Sequence, residues 1–421
     1  MSNKTGVSII LVSIFTACLF CIDSVFGQSA AVSTAVPFLL INSSPEANGQ
    51  GCTSISRISD DPFAINFNPA HLGFSSNQAN AMFSFYPTKT LWLPGLGLDD
   101  ITFNAFVLSG GVNLEKYTLL PVSIGIGYSR VDLNLGQFIR TSSSPDIIGT
   151  YTGEEHHDAL SIGFGLNLGV KLALGITFRR IESNIPEVGA GQEQTSGHAS
   201  AWSRDYGFLI DVPIIDLVTK KSELISGIMP LIDLSIGSAL TNVGGQMIYI
   251  DEAQADPLPR NISIGTTIEF GIKYTRTDQK LFSFTWSRQS DNILVGTDHW
   301  VKFYRGGFGD IDFLKNIVQG KRTETIDLSQ GWQIGIGEIV FIRGGSYVGS
   351  GNRSFTTEGL GLRLVGVLKL LQGLEFVKSS ELSFIAEHLD ISYDRSDYKT
   401  TEVNHPLDNT EFSSLTIVVK L

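Results

Sequence analysis

Ten apolar side chains occupy consecutive even positions: Leu160, Ile162, Phe164, Leu166, Leu168, Val170, Leu172, Leu174, Ile176 and Phe178. The odd positions between them are small or polar: Ser161, Gly163, Gly165, Asn167, Gly169, Lys171, Ala173, Gly175 and Thr177. A period of two sends the two sets to opposite faces of a β-sheet. At about 3.3 Å per residue the run is too long for one strand, so it must turn back on itself. Parity survives a hairpin only if the loop has an odd number of residues. A three-residue turn at Gly169-Val170-Lys171 fits, with Gly169 supplying a positive φ. One face of this hairpin is greasy and the other nearly devoid of bulk, which points to a sheet whose apolar side meets lipid.

The alternation recurs along the chain. Val122, Ile124, Ile126 and Tyr128 keep it, then the phase slips to Val131, Leu133 and Leu135, which predicts a bulge near Ser129-Arg130. It returns at Ile262–Ile272, Trp332–Ile336 and Leu360–Leu364, and in a closing strand at Leu415, Ile417, Val419 and Leu421. A soluble sandwich also alternates, but its solvent face normally carries Lys, Glu and Thr rather than repeated Gly and Ser. A small opposite face with occasional charges fits a barrel lumen or the space around a plug.

The predicted fold class is all-β, a transmembrane antiparallel β-barrel of about 14 strands, an even number as in single-chain barrels, with an N-terminal hatch segment. Strands are expected near 78–92, 100–110, 119–137, 157–168, 172–184, 204–218, 231–249 and 259–274. Six more are expected near 280–295, 327–337, 339–348, 355–368, 372–386 and 410–421. The long polar connections 139–156, 185–203, 249–258, 296–326 and 387–409 then face outward from the cell. Phe138, Tyr206, Tyr249, Tyr274, Trp286 and Tyr347 are placed for interfacial girdles.

Composition supports this class. The 421 residues include 44 Gly and are 17% charged, below the roughly 25% of an ordinary soluble domain. The formal net charge of −12 excludes a phosphate-neutralising surface, so no nucleic-acid partner is expected. Residues 1–27 read as a secretory signal, with Lys4, an apolar run from Val7 to Phe20, and small residues at Val25 and Gly27. Lipidation at Cys18 competes, but that cysteine lies inside the apolar run and Phe15 is a poor residue three places before the cleavage point. With Cys18 and Cys21 removed, Cys52 remains alone, so neither an intrachain disulfide nor a cysteine-based zinc site is available. Outside the signal no apolar run reaches 18 residues, so no transmembrane helix is expected. The expected division is therefore a signal at 1–27, a hatch at 28–77 and a barrel at 78–421.

The hatch segment carries Phe38-Leu-Leu-Ile41, Ser44–Gly51, the acidic pair Asp60-Asp61, and Asn68-Pro69-Ala70. It is too long for a turn and too apolar for a disordered tail. An Asn-Pro-Ala tripeptide after an acidic pair resembles the N-terminal hatch of FadL-like outer-membrane proteins. Within that superfamily the chain resembles the PorV/PorQ family of the type IX secretion system. That resemblance rests on Leu119–Tyr128, Leu240–Gly245 with Pro257–Gly265, Phe341–Gly345, Gly351–Arg353 with Phe355–Leu362, and His405–Thr410, in this order. It implies a barrel in the outer membrane of a diderm bacterium. The implied partners are outer-membrane lipid, the secretion translocon, the C-terminal signal domains of cargo, and the surface attachment complex. The chain departs from the family at Gln50, Phe67 and Leu421, where Met, Trp or Tyr, and Phe are usual. A FadL-like channel for hydrophobic small molecules is the alternative function.

No catalytic spacing, nucleotide loop or zinc signature is present, so neither an enzyme nor a cofactor is expected. Glu154-Glu155-His156-His157-Asp158 resembles a metal-ligand run, but extended neighbours point to opposite sides, so a solvated acidic loop is expected instead. Gly163, Gly165 and Gly169 miss the dinucleotide spacing and indicate packing. Asp60-Asp61 reads as a turn and cap device, and Asp60, Asp61, Asn68, Pro69 and Ala70 are the hatch residues singled out. Arg130, Arg179, Arg180 and Arg363 could bind acidic groups at the lumen or its rim, but solvated strand ends are expected instead.

Overall fold

The computed structural model describes residues 34–76, 80–118, 120–141, 147–185, 197–219, 227–249, 255–298, 301–350, 353–373, 380–402 and 404–420. The signal segment, residues 28–33 and Leu421 lie outside them. Fourteen of the described strands form one closed antiparallel barrel. They are β1 (Asn80–Phe85), β2 (Ile101–Asn113), β3 (Val122–Thr141), β4 (Ile147–Asn167), β5 (Lys171–Asn184), β6 (His198–Pro213) and β7 (Ile228–Gly244). The other seven are β8 (Asn261–Tyr274), β9 (Gln279–Ile293), β10 (Asp327–Ile336), β11 (Val340–Val348), β12 (Ser354–Arg363), β13 (Leu389–Lys399) and β14 (Glu411–Lys420). Each pairs with its chain neighbour, and β1 closes the ring by pairing with both β2 and β14. Closure leaves no sheet edge, so every strand in the wall finds hydrogen-bond partners without water.

The opening hairpin is β4–β5. Leu160 faces Phe178, Ile162 faces Ile176, and Phe164 faces Leu174. The turn has three residues and Gly169 has φ +91°, but it is centred one residue early, on Leu168-Gly169-Val170. A shift of one turn residue moves the pairing by two, so parity and face survive. Leu160, Phe164, Leu174 and Phe178 stand 40–59% exposed on the outer wall. Ile126, Phe208, Phe282, Ile342 and Leu360 continue this apolar belt on other strands.

The belt ends where the outer face of β3–β5 turns charged. Arg130 lies 3.3 Å from Asp158, and Arg180 lies 2.6 Å from Glu182. Above this line the interior becomes apolar instead: Phe103, Val131, Leu133 and Ile181 are buried in the lumen with Phe38, Phe63 and Phe412. The predicted bulge at Ser129-Arg130 is therefore a correction. Pairing of β3 with β4 runs unbroken through these residues and shifts only farther along, between Asn134 and Gln137 and again between Arg140 and Thr141; Gly136, in the first shift, has φ +81°. The phase slip marks an exchange of polarity between the two faces of a straight strand.

Other boundaries also differ. The strand expected at 372–386 is replaced by helices Leu364–Gly373 and Ser380–His388, and β13 runs through the stretch read as the loop 387–409. Leu364, Val367, Leu368 and Leu371 repeat at helical spacing, a pattern that a short apolar run does not distinguish from a strand. The expected loop 139–156 is mostly strand, since β3 reaches Thr141 and β4 starts at Ile147, and β6 already starts inside the expected loop 185–203. Strand 204–218 ends early in the helix Ile214–Thr219. Tyr347 is a lumen residue rather than a girdle aromatic, stacked on Phe355 with its hydroxyl donating to Asp327 at 2.7 Å.

Phe164→Asp places a charge on the lipid face of β4, at a cost of up to about 2–4 kcal/mol by analogy with other ionised side chains there. The expected result is a marked drop in the membrane-inserted, heat-modifiable barrel fraction on unboiled gels. Normal insertion of the variant would refute the lipid-facing assignment of this row.

Candidate functional site

Residues 34–76 lie within the barrel, and the small lumen face explains how. Gly111, Gly125, Gly163, Gly175 and Gly207 stand in one register row across β2 to β6. The segment Asn68–Ser76, including the short helix His71–Ser75, lies along this glycine trough. A Cβ on Gly163 would come within 2.6 Å of Leu72 Cβ, one on Gly165 within 2.2 Å of Gly73 O, and one on Gly207 within 2.1 Å of Asn68 Oδ1. The backbone of the inner segment thus touches the wall where any other residue would hold it off.

The singled-out residues act at this contact. Asn68 is fully buried; its amide donates to Ile55 O at 2.8 Å and to Phe208 O of β6 at 3.1 Å, and its Oδ1 accepts from Ala70 N at 3.1 Å. Pro69 and Ala70 are the backbone atoms against Gly175. Asp61 caps the 3-10 turn Pro62–Asn66, accepting from Phe63 N at 3.0 Å, and takes the Ser44 hydroxyl on its other oxygen. Asp60 stays exposed and meets Arg363 at 3.1 Å. Arg179 is buried in the lumen, 2.7 Å from Asp205 and bonded to Asn66 O at 3.2 Å, whereas Arg130 and Arg180 lie on the outer wall.

The run Glu154–Asp158 is not a loop but part of β4. Glu155 and His157 are buried in the lumen, and Glu154, His156 and Asp158 take the outer face. Among the described residues no group of His, Cys, Asp and Glu converges as a metal would require.

Two titrating groups of the inner segment pull in opposite directions. Burial, helped by the nearby Glu46 carboxylate, pushes Asp61 up to about 7. Burial pushes His71, which bonds Ser54 O at 3.0 Å, down to about 4. Between about pH 4 and 6.5, Asp61 makes the seated segment bind more protons than the released one, and His71 makes it bind fewer. The two slopes offset each other in the wild type. Asp61→Asn is expected to unmask seating that strengthens as pH rises through this window. His71→Gln should unmask seating that weakens as pH rises from about 4 to 7. Thermal transitions across this range test both, and parallel curves for the two variants would refute the assignment.

Two cavities flank the inner segment. One of about 300 Å³ opens between Glu46, Arg57, Lys171, Asp233, Lys280 and Arg363, on the side of the short turns, and is strongly charged. The other, of about 490 Å³, lies between the segment and the rim formed by the connections after the odd-numbered strands. Phe38, Leu39 and Ile41 face it from the inner segment, Leu133 and Leu135 from β3, and Trp92, Leu93 and Leu407 from the rim. Its wall is mostly apolar, with polar groups from Glu155 of β4, Arg179 of β5 and the strands β7 to β11. The sequence signal for it was the phase slip to Val131, Leu133 and Leu135, since the last two of these line it.

Comparison with family models and with curated protein sequences finds no match. Among solved structures, the Ralstonia pickettii toluene transporter TbuX is 11% identical over 90% of this chain and 98% of its own, with a TM-score of 0.43. The Pseudomonas putida toluene transporter TodX is 11% identical over 89% and 96%, with a TM-score of 0.39. A Pseudomonas aeruginosa FadL homologue is 13% identical over 94% and 100%, with a TM-score of 0.34. At these levels the likeness carries no functional argument, and the chain's own cavity has to supply one.

Proposed function

We propose that the protein is an outer-membrane barrel that binds and admits an apolar small molecule through the cavity above the inner segment. The observation that carries this reading is the 490 Å³ lumen cavity with its largely apolar wall, within the roughly 300–1,000 Å³ of small-molecule sites. A general diffusion pore fits poorly, because backbone-to-backbone contact along the glycine trough occupies the lumen where water would have to pass. Export by the N-terminal signal belongs to the same proposal.

Barrel reconstituted in lipid discs and extracted free of bound lipid should bind an apolar fluorescent probe saturably. Leu135→Asp, which sets a charge in the apolar wall, is expected to weaken that binding at least about tenfold while leaving heat-modifiable mobility intact. Equal binding by the variant would overturn the proposal.

The ordered motifs from Leu119 to Thr410 favour a second reading, in which the rim receives the C-terminal signal domains of type IX cargo. Cross-linking in membranes should then recover translocon, cargo and attachment proteins, and recovery of none removes that reading.

A further inference from the structure

The large cavity has two unlike sides, and the polar one has a sign. Ser263 of β8, Asp291 of β9 and Asp327 of β10 stand in one register row, and all three line the cavity. Asp327 is neutralised by Arg353 at 3.0 Å and accepts from the Tyr347 hydroxyl. Asp291 has only neutral donors: Ser263 Oγ at 2.5 Å, Gln289 Nε2 at 3.0 Å and Asn261 Nδ2 at 3.4 Å. Among the described residues no cation lies within ion-pair distance of it; Arg353, bound to Asp327, acts on it only from beyond that distance, and Asp291 remains half-buried in the wall.

Beside it, Asn261 and Ser329 are buried in the same wall, 8% and 0% exposed, and among the described residues Asn261 Oδ1 and Ser329 Oγ have no hydrogen-bond partner. The Asn261 amide cannot be turned to relieve this, because its oxygen would then face the Asp291 carboxylate that its nitrogen now serves. Asn261 is thereby fixed as a neutral donor to Asp291.

The geometry points to a ligand of one class: an amphiphile whose apolar tail lies against Phe38, Leu39, Leu133 and Leu135, and whose head donates hydrogen bonds to Asp291. An alcohol or an ammonium head meets this demand. A carboxylate head does not, since it adds an acceptor and a negative charge beside Asp291. This inference rests on the cavity being the binding site proposed above and specifies what that site selects.

The test is displacement of the apolar probe from disc-embedded barrel at about pH 8 by decanol, decylamine, decanoate and decane, with empty discs subtracted. Decanol and decylamine are expected to displace the probe at concentrations about tenfold lower than decanoate. Decanoate equal to or better than both overturns the head-group inference while leaving the apolar site standing. Displacement by none of the four overturns the site itself and this inference with it. Asp291→Asn should improve decanoate about tenfold relative to decylamine. Because the wild-type series needs no variant, a misfolded Asp291→Asn barrel does not spare the proposal, whereas a folded one with an unchanged ratio overturns the role of Asp291. Alcohol and amine separate at the same step, since only the amine should lose affinity in the variant.

Discussion

Replacing Glu46 by alanine is expected to remove about 3–5 kcal/mol of the stability that holds residues 34–76 in the lumen. Glu46 is 2% exposed and touches Arg57; Arg343, 1% exposed at its side chain, lies 3.4 Å away. Ser59 donates to its second oxygen at 2.9 Å. Burial alone would raise its carboxyl, but the guanidiniums of Arg57, Arg343 and Arg363 outweigh that and hold it well below the usual carboxylate range. Arg343 keeps Asp394 at 2.6 Å and Gln333 at 2.7 Å after the substitution, but Arg57 keeps only Gln333 at 3.3 Å. The cost is therefore that of a cation stranded in a buried site rather than that of a lost surface pair. Denaturant unfolding and protease cleavage within 34–76 measure it, with heat-modifiable mobility reporting the wall separately. Glu46→Gln should fall between, since it keeps the shape and loses the charge. A change below about 1 kcal/mol for Glu46→Ala would show that the network is solvated. The double variant Glu46→Leu with Arg57→Met should recover much of the loss, because replacing both ions avoids the desolvation that each imposes.

Gly175→Val is expected to be at least as disruptive to seating, about 3 kcal/mol or more, above the usual 1–3 kcal/mol of overpacking. A Cβ there would sit 2.2 Å from Pro69 C, 2.4 Å from Pro69 O and 2.5 Å from Ala70 N. All three are backbone atoms, tied by Asn68 to Ile55 and to Phe208, so no side chain can rotate out of the way. The strand itself is not strained by valine, which suits a pleated sheet. The expected outcome is a barrel that still inserts while residues 66–76 become open to protease. Gly245→Ala is the control, because a Cβ there meets nothing within 4 Å. If Gly175→Val stays as resistant to cleavage as the control, the trough does not hold the segment.

The alternation made the barrel legible because each strand reports two environments at once, and lipid on one side accepts nothing but apolar bulk. It mislaid elements where that report is ambiguous. The helix Leu364–Gly373 carries enough consecutive apolar residues to pass for a strand, and the following helix hid the start of β13. The charged outer faces near Arg130 and Arg180 made β3, β4 and β6 seem to end in loops, although these strands continue past the apolar belt.

The sequence by itself determined that the sheet has an apolar face and a small face, that its strands number about fourteen as in even-stranded barrels, and that a long block precedes them. Only the tertiary structure decided what fills each face. Glycine is demanded equally by a narrow lumen and by a backbone pressed against the strand, and the partner of Gly175 is Pro69, far away in the chain. Likewise Val131, Leu133 and Leu135 change phase in the sequence, but whether a strand bends or its interior turns apolar depends on what stands inside. Side-chain periodicity encodes a residue's surroundings, and only the folded chain supplies them.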